Sequence, residues 1–562
     1  MITRSRLQNN GKQSAPREWF VVCVIVLVCG LLQVPYVLAY LTAPRDTIYT
    51  GLLVNVEDAN YITIIQRGSE GAWTHSLRFT SEPDTPAFLY VFYLAWGQLA
   101  RLLNVDATTM WHIARVVMTI VAFSAAYLFI RAFFAEPTAR LVAFLLAILG
   151  AGFDWVLFPW ETFDPTSATP IDFKMADAHL FHSALTFPHY LASITLLIIL
   201  FWCAMRLLTE TLAPKKIALL LVVGALANIG IALVYPFFVI LACGVLGLYT
   251  LLLILRARKI SPRPFLIFGA LIVSVVPLLL YYQMMISSSE LLRVWSAQSQ
   301  TLSPNPLHYL LTFAPYLILA LLDVWRVGLG DAAQANKRLL LWTWVIVVAL
   351  LAYAPLGPQR RFLQGVQIPL AILATFGMFE VVLPRLRQTR WFQKLSKRPN
   401  YSAQGLTRLL LVALILFVSL SSVYQWLSAV ALTTLVQPYP LFRPRAEIAA
   451  MDWLRGRAQT GDVVLSAYFT GSYLPLRSGA RVYLGHLYET VRFQEKQNHV
   501  DEFFAANTSD AERIEFLRAN AIRYLFYGRA ERDLGAFDPQ HASYLERVYE
   551  NSDNSIYLVK NP

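Results

Sequence analysis

Charged residues and cysteines are scarce in this 562-residue sequence. Asp, Glu, Lys and Arg make up 15% of the chain and hydrophobic residues 57%, which excludes an ordinary soluble globular protein. All four cysteines (Cys23, Cys29, Cys203, Cys243) lie in apolar runs, so no disulfide framework or cysteine-based metal site is expected. Neither GxGxxG nor a P-loop is present, and nucleotide binding therefore has no support.

Long apolar runs dominate the first 430 residues. A membrane-spanning helix needs about 20 apolar residues, and hydropathy indicates twelve candidates. They lie at 19–41, 85–103, 110–134, 139–157, 184–206, 217–234, 236–255, 265–286, 309–327, 338–356, 361–383 and 408–430. The first run is long for a signal peptide and lacks a small-residue cleavage site, so we expect it to remain as the first helix.

Basic loops predict the orientation of these helices. Four basic clusters between runs, and the basic N-terminal arm, indicate cytoplasmic segments under the positive-inside rule. The loops 42–84 and 153–183, and the C-terminal tail, then lie outside. This arrangement needs an odd number of crossings. We therefore expect about eleven, with the run "LVAFLLAILGAGFDW" (141–155) as the segment that does not cross.

The last part of the chain has ordinary polarity. After a Pro-rich linker (436–445), "DVVLSAYFTGSYLPLRSGARVYLGHLYET", "IRYLFYG" and "SIYLVK" predict strands and helices of a small three-layered α/β domain. From residue 440 onward 15 basic residues face 16 acidic ones, so the net charge of +12 lies in the membrane part. That excess is a topology signal, and no nucleic-acid partner is expected.

The predicted fold class is thus a polytopic α-helical membrane protein with about 11–12 transmembrane helices and a small C-terminal extracytoplasmic α/β domain. The membrane domain would cover residues 1–435 and the α/β domain residues 440–562. The chain would lie in the cell membrane with a cytoplasmic N-terminus. Membrane lipids would therefore be among its partners. In the α/β domain, ligands usually bind at the carboxyl ends of strands, where His486 and Glu489 follow the second strand. Acceptor docking and scaffolding both remain open for it.

Two adjacent acids, Glu57 and Asp58, follow the first run in "NVEDANYITIIQRG". One interpretation is structural: Asn55 is a good N-cap, and acids stabilise a first helical turn. The other is catalytic. Asp58 would share a helix face with Tyr61 and Ile65, which turns a carboxylate toward the bundle. Such a carboxylate has a raised proton affinity and can act as a general base.

Two arginines in "GPQRRF", Arg360 and Arg361, fall at a predicted outer membrane edge, against the positive-inside trend. A guanidinium binds phosphate oxygens as a bidentate fork and stabilises a departing phosphate. The alternative is ordinary contact with lipid headgroups through snorkelling side chains.

Further candidates lie at the mouths of later spans. The stretch "DFKMADAHLFHSALTFPHY" contains Asp172, Asp177, His179, His182 and His189. These residues suit a divalent metal, hydrogen bonding to substrate through the histidines, or interfacial packing, although the spacing matches no specific zinc motif.

Two weaker candidates complete the set. Glu82, with Asp84, precedes Pro86 before the second run and is typical of a turn, with catalysis as the alternative. Tyr235 precedes Pro236, which breaks an apolar run either at a site or at a simple hairpin tip.

The layout resembles the GT-C superfamily of membrane glycosyltransferases, in particular bacterial members that use polyprenyl- or dolichyl-phosphate sugars. The matching elements are "VEDANY" in the first loop, "SEPDTPAFLYVFYLAWGQLAR" at the second run and "GPQRRFLQGVQIPLAILA" late in the bundle. This resemblance implies that Asp58 removes the proton of the acceptor hydroxyl, with Glu57 as second choice or orienting partner. The tail is not part of the resemblance.

The resemblance also implies a function: transfer of a sugar from a polyprenyl-phosphate-linked donor to a hydroxyl of a glycan, lipid or protein acceptor on the outer face. The substrate-binding candidates are Arg360, Arg361, Tyr61, Glu82, His182, His189 and Tyr235. No cofactor is certain, and a divalent metal stays open. The alternatives are a lipid-linked glycan transporter or flippase and a non-catalytic GT-C-like scaffold subunit. Acids concentrate in the loops and are rare at span centres, which favours catalysis over transport.

Overall fold

A computed structural model describes residues 18–83, 85–160, 168–324, 332–459 and 461–560. Asp84 lies outside these ranges. Within them, eight helices are long and apolar enough to cross a membrane, and up to eleven spans result if each of three bent helix pairs counts as one. The helical membrane fold with a C-terminal sheet region, predicted from the sequence, is confirmed.

The first part of the chain contains a span, a long connection and two further spans. Its elements are α1 (Glu18–Thr42), β1 (Thr47–Tyr49), α2 (Ala59–Ser69), α3 (Val91–Leu103), α4 (Ala107–Arg131) and α5 (Pro137–Leu149). We call residues 43–106, between α1 and α4, the first connection. The 3-10 segment Asp154–Trp160 extends α5, so that the candidate span is Pro137–Trp160.

The rest of the bundle contains spans, bent pairs and short helices. They are α6 (Ile171–Lys174), α7 (Leu180–Thr186), α8 (Pro188–Thr209), α9 (Pro214–Val234), α10 (Phe238–Ala257), α11 (Pro262–Val273), α12 (Val276–Ser288), α13 (Glu290–Gln298), α14 (Pro306–Thr312), α15 (Ala314–Asp323), α16 (Ala332–Leu351), α17 (Gln367–Phe376), α18 (Leu383–Gln388), α19 (Arg390–Ser396), α20 (Ala403–Val418) and α21 (Leu420–Ala431). The bent pairs are α11 with α12, α14 with α15, and α20 with α21 and its continuation to Val436.

The expectation about which apolar run fails to cross is wrong. The run containing 141–155 belongs to the candidate span Pro137–Trp160, whereas the run at 85–103 forms only the 13-residue helix α3. Helix α3 packs on α2 with the two backbones in contact. A Cβ atom on Gly97 would lie 2.2 Å from the carbonyl oxygen of Ile65, and one on Gly68 would lie 2.4 Å from that of Leu94.

The tail, residues 437–560, forms a five-stranded mixed sheet in the order β4-β3-β5-β7-β6. Strand β3 runs parallel to β4 and β5, and β7 runs antiparallel to β5 and β6. The tail elements are β2 (Phe442–Pro444), α22 (Arg445–Leu454), β3 (Val463–Leu465), α23 (Tyr468–Gly471), α24 (Leu474–Ser478), β4 (Arg481–Val482), α25 (Phe493–Phe504), α26 (Asp510–Ala519), β5 (Ile522–Tyr527), α27 (Arg529–Arg532), β6 (Leu545–Glu550) and β7 (Ser555–Val559). Strand β6 was not among the predicted strands.

The tail packs directly on the first connection. Strand β2, inside the predicted linker, pairs antiparallel with β1, and Ile48 lies opposite Arg443. The backbone N–H of Val482 donates to the carbonyl of Arg78 at 3.0 Å, and the Thr490 hydroxyl donates to the carbonyl of Phe79 at 2.5 Å. These bonds place the residues after β4 against the segment that carries the acid pair.

Candidate active site

The acid pair lies on a single 3-10 turn, Val56–Asp58, that leads into α2. Asn55 caps this turn, because its side-chain oxygen accepts a hydrogen bond from the backbone N–H of Glu57 at 3.2 Å. The Asp58 side chain makes no capping bond to α2. Capping therefore accounts for Asn55 but not for the carboxylate of Asp58.

Glu57 turns toward the tail. Its carboxylate accepts hydrogen bonds from the Tyr468 hydroxyl at 2.7 Å, from the Asn55 amide at 3.0 Å, and from the backbone N–H of Leu487. The side chain is buried. Donors from both the first connection and the tail thus surround this carboxylate.

Asp58 is half-buried, and its environment favours the protonated form. Burial and the adjacent charge of Glu57 raise the pKa of Asp58 to about 8, although the Asn55 backbone and the positive charge of Arg361 act in the opposite direction. A carboxylate with a proton affinity in this range is matched to proton transfer near neutral pH.

Arg361 faces the same site from the segment between α16 and α17. Its Nη1 contacts Oδ1 of Asp177 at 3.2 Å, and the Gln364 amide donates to the same oxygen at 2.9 Å. Burial alone would lower the pKa of Arg361. Asp177 and the hydroxyl of Tyr61 outweigh burial and raise this pKa above its ordinary value. The guanidinium is therefore a permanent cation, held in place by Asp177.

The two predicted arginines do not act together. The backbone N–H of Arg360 donates to the carbonyl of Thr301 at 3.0 Å, and its charge acts on the hydroxyl of Tyr309. Arg361, by contrast, acts electrostatically on both Asp58 and Tyr61. Of the two arginines, it is Arg361 whose charge lowers the pKa of Asp58.

Aromatic side chains from α2, α3, α4 and α8 meet beside these charges. The ring of Tyr61 lies 4.8 Å from Tyr93, 5.9 Å from Trp111 in a stacked arrangement, and 4.9 Å from His189. Both ring nitrogens of His189 are bonded to hydroxyls, Nε2 to Tyr235 at 2.6 Å and Nδ1 to Tyr93. The predicted residues Tyr61, His189 and Tyr235 therefore form one cluster.

The acids and histidines of 172–189 divide among separate contacts. His179 lies 3.3 Å from the Asp172 carboxylate, and His182 contacts the Gln425 amide at 2.8 Å. Burial, with a smaller effect of His179, lowers the pKa of His182 to about 4, so it is neutral. Among the described residues no group of three or more His, Cys, Asp or Glu converges as a metal-holding set. The metal interpretation therefore finds no ligand set in those ranges.

Glu82 joins the first connection to the tail. Its carboxylate contacts Nζ of the buried Lys496 at 2.7 Å and accepts a hydrogen bond from the Thr80 hydroxyl. Burial raises the pKa of Glu82, but the charge and hydrogen bond of Lys496 outweigh burial and lower it overall. These are contacts of an inter-segment ion pair.

The tail contributes to the site, which the sequence did not predict. Glu489 is buried, accepts a 2.5 Å hydrogen bond from the Tyr90 hydroxyl, and acts electrostatically on Tyr61. Burial raises the pKa of Glu489. Its neighbour Tyr488 acts on Arg361. The position of Glu489 after the second strand of the tail was a signal in the sequence, but nothing there linked it to α2.

The chain shares its fold with solved membrane glycosyltransferases over more than nine-tenths of its length, the tail included, which confirms the resemblance to the GT-C group at the level of fold. No protein-family model matches the sequence, and no curated protein matches it. The comparison with solved structures therefore carries this assignment.

Three similar structures illustrate the fold. An oligosaccharyltransferase of Archaeoglobus fulgidus has a TM-score of 0.53 at 12% identity, over 91% of this chain and 69% of that one. ArnT of Cupriavidus metallidurans has a TM-score of 0.52 at 11% identity, over 95% of this chain and 98% of that one. The arabinofuranosyltransferase AftD from Mycobacteria has a TM-score of 0.55 at 14% identity, over 96% of this chain and 40% of that one. Another structure of the Archaeoglobus enzyme, AglB, contains an inhibitory peptide and a dolichol-phosphate.

Proposed function

We propose that this protein transfers a sugar from a polyprenyl-phosphate-linked donor to an acceptor hydroxyl at the outer face of the membrane. One observation carries the proposal: the Arg361 guanidinium lies 5.4 Å from the ring of Tyr190, which packs on the His189 ring beside Tyr61, and Tyr61 follows Asp58 on the same segment. At this position the charge of Arg361 lowers the pKa of Asp58. A base and a phosphate-binding cation placed together are what a displacement at a sugar phosphate needs. The shared fold with enzymes of this class supports the proposal.

Asp58 is the general base in this mechanism. The acceptor O–H gives its proton to the Asp58 carboxylate while its oxygen attacks the anomeric carbon of the donor. The bond from that carbon to the phosphate oxygen breaks, and its electron pair leaves with polyprenyl phosphate. The pKa of about 8 makes Asp58 a stronger base than an exposed carboxylate.

Arg361 stabilises the leaving phosphate. Its Nη1 contacts Asp177, which orients the planar group, and a guanidinium has five N–H donors in a fork that matches phosphate oxygens. Negative charge on the phosphate grows as the bond to the sugar breaks, so a fixed cation stabilises the transition state more than the ground state.

The aromatic cluster of Tyr61, His189 and Tyr235 binds the sugar in this scheme. Its rings offer apolar faces, and the Tyr235 hydroxyl is held by a 2.6 Å contact with Nε2 of His189. Glu57 and Glu82, whose carboxylates contact tail residues, hold the tail on the first connection instead of touching the sugar. His182 contacts the Gln425 amide and has no role at the sugar in this scheme.

We further propose the orientation that the basic loops predict. The N-terminus lies in the cytoplasm, and the acid-bearing connection and the tail lie outside the cell membrane. In this arrangement residues 1–435 form the catalytic membrane domain, and residues 440–562 form a domain that covers the site.

The test is a transfer assay with purified protein in nanodiscs and a panel of radiolabelled polyprenyl-phosphate sugars. Asp58→Asn should lower transfer by about 10²–10⁴-fold and Arg361→Met by about 10²–10³-fold. Arg360→Met is the matched control, because its charge acts on Tyr309, and it should retain activity. Transfer that survives Asp58→Asn, or label that crosses liposome membranes without being transferred, would contradict the proposal.

A further inference from the structure

A groove of about 620 Å³ lies between α1 and α4, beside the tail. One part of it is lined by apolar side chains of the spans, among them Val37 and Val117, which are 52% and 39% exposed. The other part, which we call the head region, is lined by Tyr40, Tyr49 and Tyr473. Exposed apolar side chains of a span face hydrocarbon, and tyrosines concentrate at the level of the lipid headgroups. The groove thus has the layering of a phospholipid.

An ionised carboxylate, Asp106, also lines the groove. It caps α4 and accepts hydrogen bonds from the backbone N–H groups of Thr108 and Thr109 at 3.0 Å each, and from the Thr109 hydroxyl at 2.5 Å. Burial raises the pKa of Asp106, but these hydrogen bonds outweigh burial and lower it below its ordinary value. The three donors are neutral, and a carboxylate has about four acceptor positions. Asp106 can therefore accept a further hydrogen bond from a cationic ligand.

A chain of hydrogen bonds leads from a buried cation to the head region. Arg115 is fully buried, and its Nη1 lies 3.1 Å from Nδ1 of His112. Because an arginine only donates, Nδ1 is the acceptor, and the neutral ring carries its proton on Nε2. This Nε2 lies 3.1 Å from the Tyr40 hydroxyl, whose oxygen therefore accepts. The O–H of Tyr40 is then available to donate to a ligand, and the cation at the far end of the chain polarises it.

The charges at the groove balance. Asp106 and Arg115 have opposite signs and are nine residues apart along α4, which separates them by about 13 Å. Arg477, which also lines the groove, forms an ion pair with Asp452. No net charge therefore favours a purely anionic or a purely cationic ligand. A carboxylate acceptor at one place and a hydroxyl donor linked to a cation at another are complementary to a zwitterion.

We propose that this groove binds a zwitterionic aminophospholipid of the membrane. Its ammonium donates to Asp106, its phosphate accepts from the Tyr40 hydroxyl, and an acyl chain lies along Val37 and Val117. A primary ammonium has three N–H donors for the carboxylate, whereas the quaternary ammonium of phosphatidylcholine has none. Because Tyr473 belongs to the tail, the bound lipid contacts α1, α4 and the tail together and fastens the tail to the spans. This site is independent of the proposed sugar transfer.

Photolabelling tests which lipid head the groove selects. Three probes carry the same diazirine-labelled acyl chain on a phosphatidylethanolamine, a phosphatidylcholine or a phosphatidylglycerol head. The full chain is placed in phosphatidylcholine nanodiscs and irradiated with each probe, and the label in the segment 33–50, which contains the end of α1, is measured. The ethanolamine probe should label this segment roughly tenfold more than the other two, because only its head brings a cation with N–H donors to the carboxylate.

Two substitutions separate the contacts of the head. Asp106→Asn should lower the ethanolamine label to the level of the choline label and leave the choline label unchanged. Asn is as good an N-cap as Asp, so α4 keeps its first turn in this variant. Asp46→Asn is the matched control, because Asp46 is an exposed acid of the first connection outside the groove, and it should change no label. Tyr40→Phe removes the donor to the phosphate and should lower the label of all three probes by a similar factor.

Three results would overturn the proposal. Equal labelling of wild type by the three probes would show that the groove does not distinguish lipid heads. Strongest labelling by the glycerol probe would show that it binds anionic lipids instead. An ethanolamine label that is the same in Asp106→Asn and wild type would show that the carboxylate does not hold the ammonium. The comparison of probes in wild type needs no substitution, so it tests the proposal even if a variant fails to fold.

Discussion

The ionised carboxylate of Asp58 is stabilised by the positive charge of Arg361, although the two residues come from opposite ends of the membrane-embedded part of the chain. Asp58 ends a 3-10 turn before α2, and Arg361 lies on another 3-10 turn between α16 and α17. Neither turn belongs to a candidate span. The fold thus brings a carboxyl group and a cation together in its connections and not in its spans.

The first prediction concerns the pH dependence of sugar transfer. Because the pKa of Asp58 is raised to about 8, the base is largely protonated at neutral pH and becomes available as pH rises. With both substrates saturating, the transfer rate should increase through pH 8 and then level off. Donor binding measured at the same pH values serves as the control. A rate that is flat, or falls, between pH 7 and 9 would rule out Asp58 as the base.

The second prediction concerns the midpoint of that pH profile. Glu57 raises the pKa of Asp58, and Arg361 lowers it. Glu57→Gln should therefore move the midpoint to lower pH and Arg361→Met should move it to higher pH, whatever each does to the maximal rate. Arg360→Met should leave the midpoint in place. Shifts of the same sign in the first two variants would show that these charges do not act on one titrating group.

The third prediction concerns stability. Since the folded-state pKa of Asp58 exceeds that of an unfolded aspartate, the unfolded chain releases this proton at lower pH than the folded chain does. Stability should therefore fall as pH rises from about 4 toward 8. Asp58→Asn removes this contribution, so thermal unfolding of the variant and of wild type should diverge across the window and favour the variant. Parallel curves would indicate an ordinary pKa for Asp58.

The fourth prediction concerns the contact of α2 with α3. Gly97→Ala places a methyl group against the carbonyl of Ile65 and should cost about 1–3 kcal/mol, because backbone must move. Gly269 in α11 is the matched control. Nothing lies within 4 Å of a Cβ built there, so Gly269→Ala should be neutral or stabilising by about 0.4–1 kcal/mol. Thermal unfolding in nanodiscs compares the two, and equal effects would contradict the close approach of α2 and α3.

Much of the fold was predictable because hydropathy has a direct physical meaning in a bilayer. The error at 85–103 shows the limit of that signal. Hydropathy cannot distinguish a spanning run from a short helix whose apolar face packs on protein. The close contact of Gly68 with Gly97 cannot be predicted from hydropathy either. The short helix α3 packs on α2 through that contact.

The site was predictable in part. The helix-face argument placed Asp58 toward the bundle, and the structure places its carboxylate in a half-buried position with a raised pKa. Arg360 and Arg361 have different partners because both lie on a 3-10 turn. The sequence gives no signal from which that turn could be predicted. The approach of Glu489 to Tyr61 depends on how the tail packs on the first connection, and no local pattern reports that contact.

The most direct measurement is a structure of the protein with a polyprenyl C-glycosyl phosphonate, a donor analogue whose sugar cannot leave. The account predicts phosphonate oxygens at hydrogen-bond distance, about 3 Å, from the guanidinium of Arg361, with the sugar between that group and Asp58. Phosphonate bound elsewhere, with Asp58 facing water and no ligand beside Arg361, would contradict it.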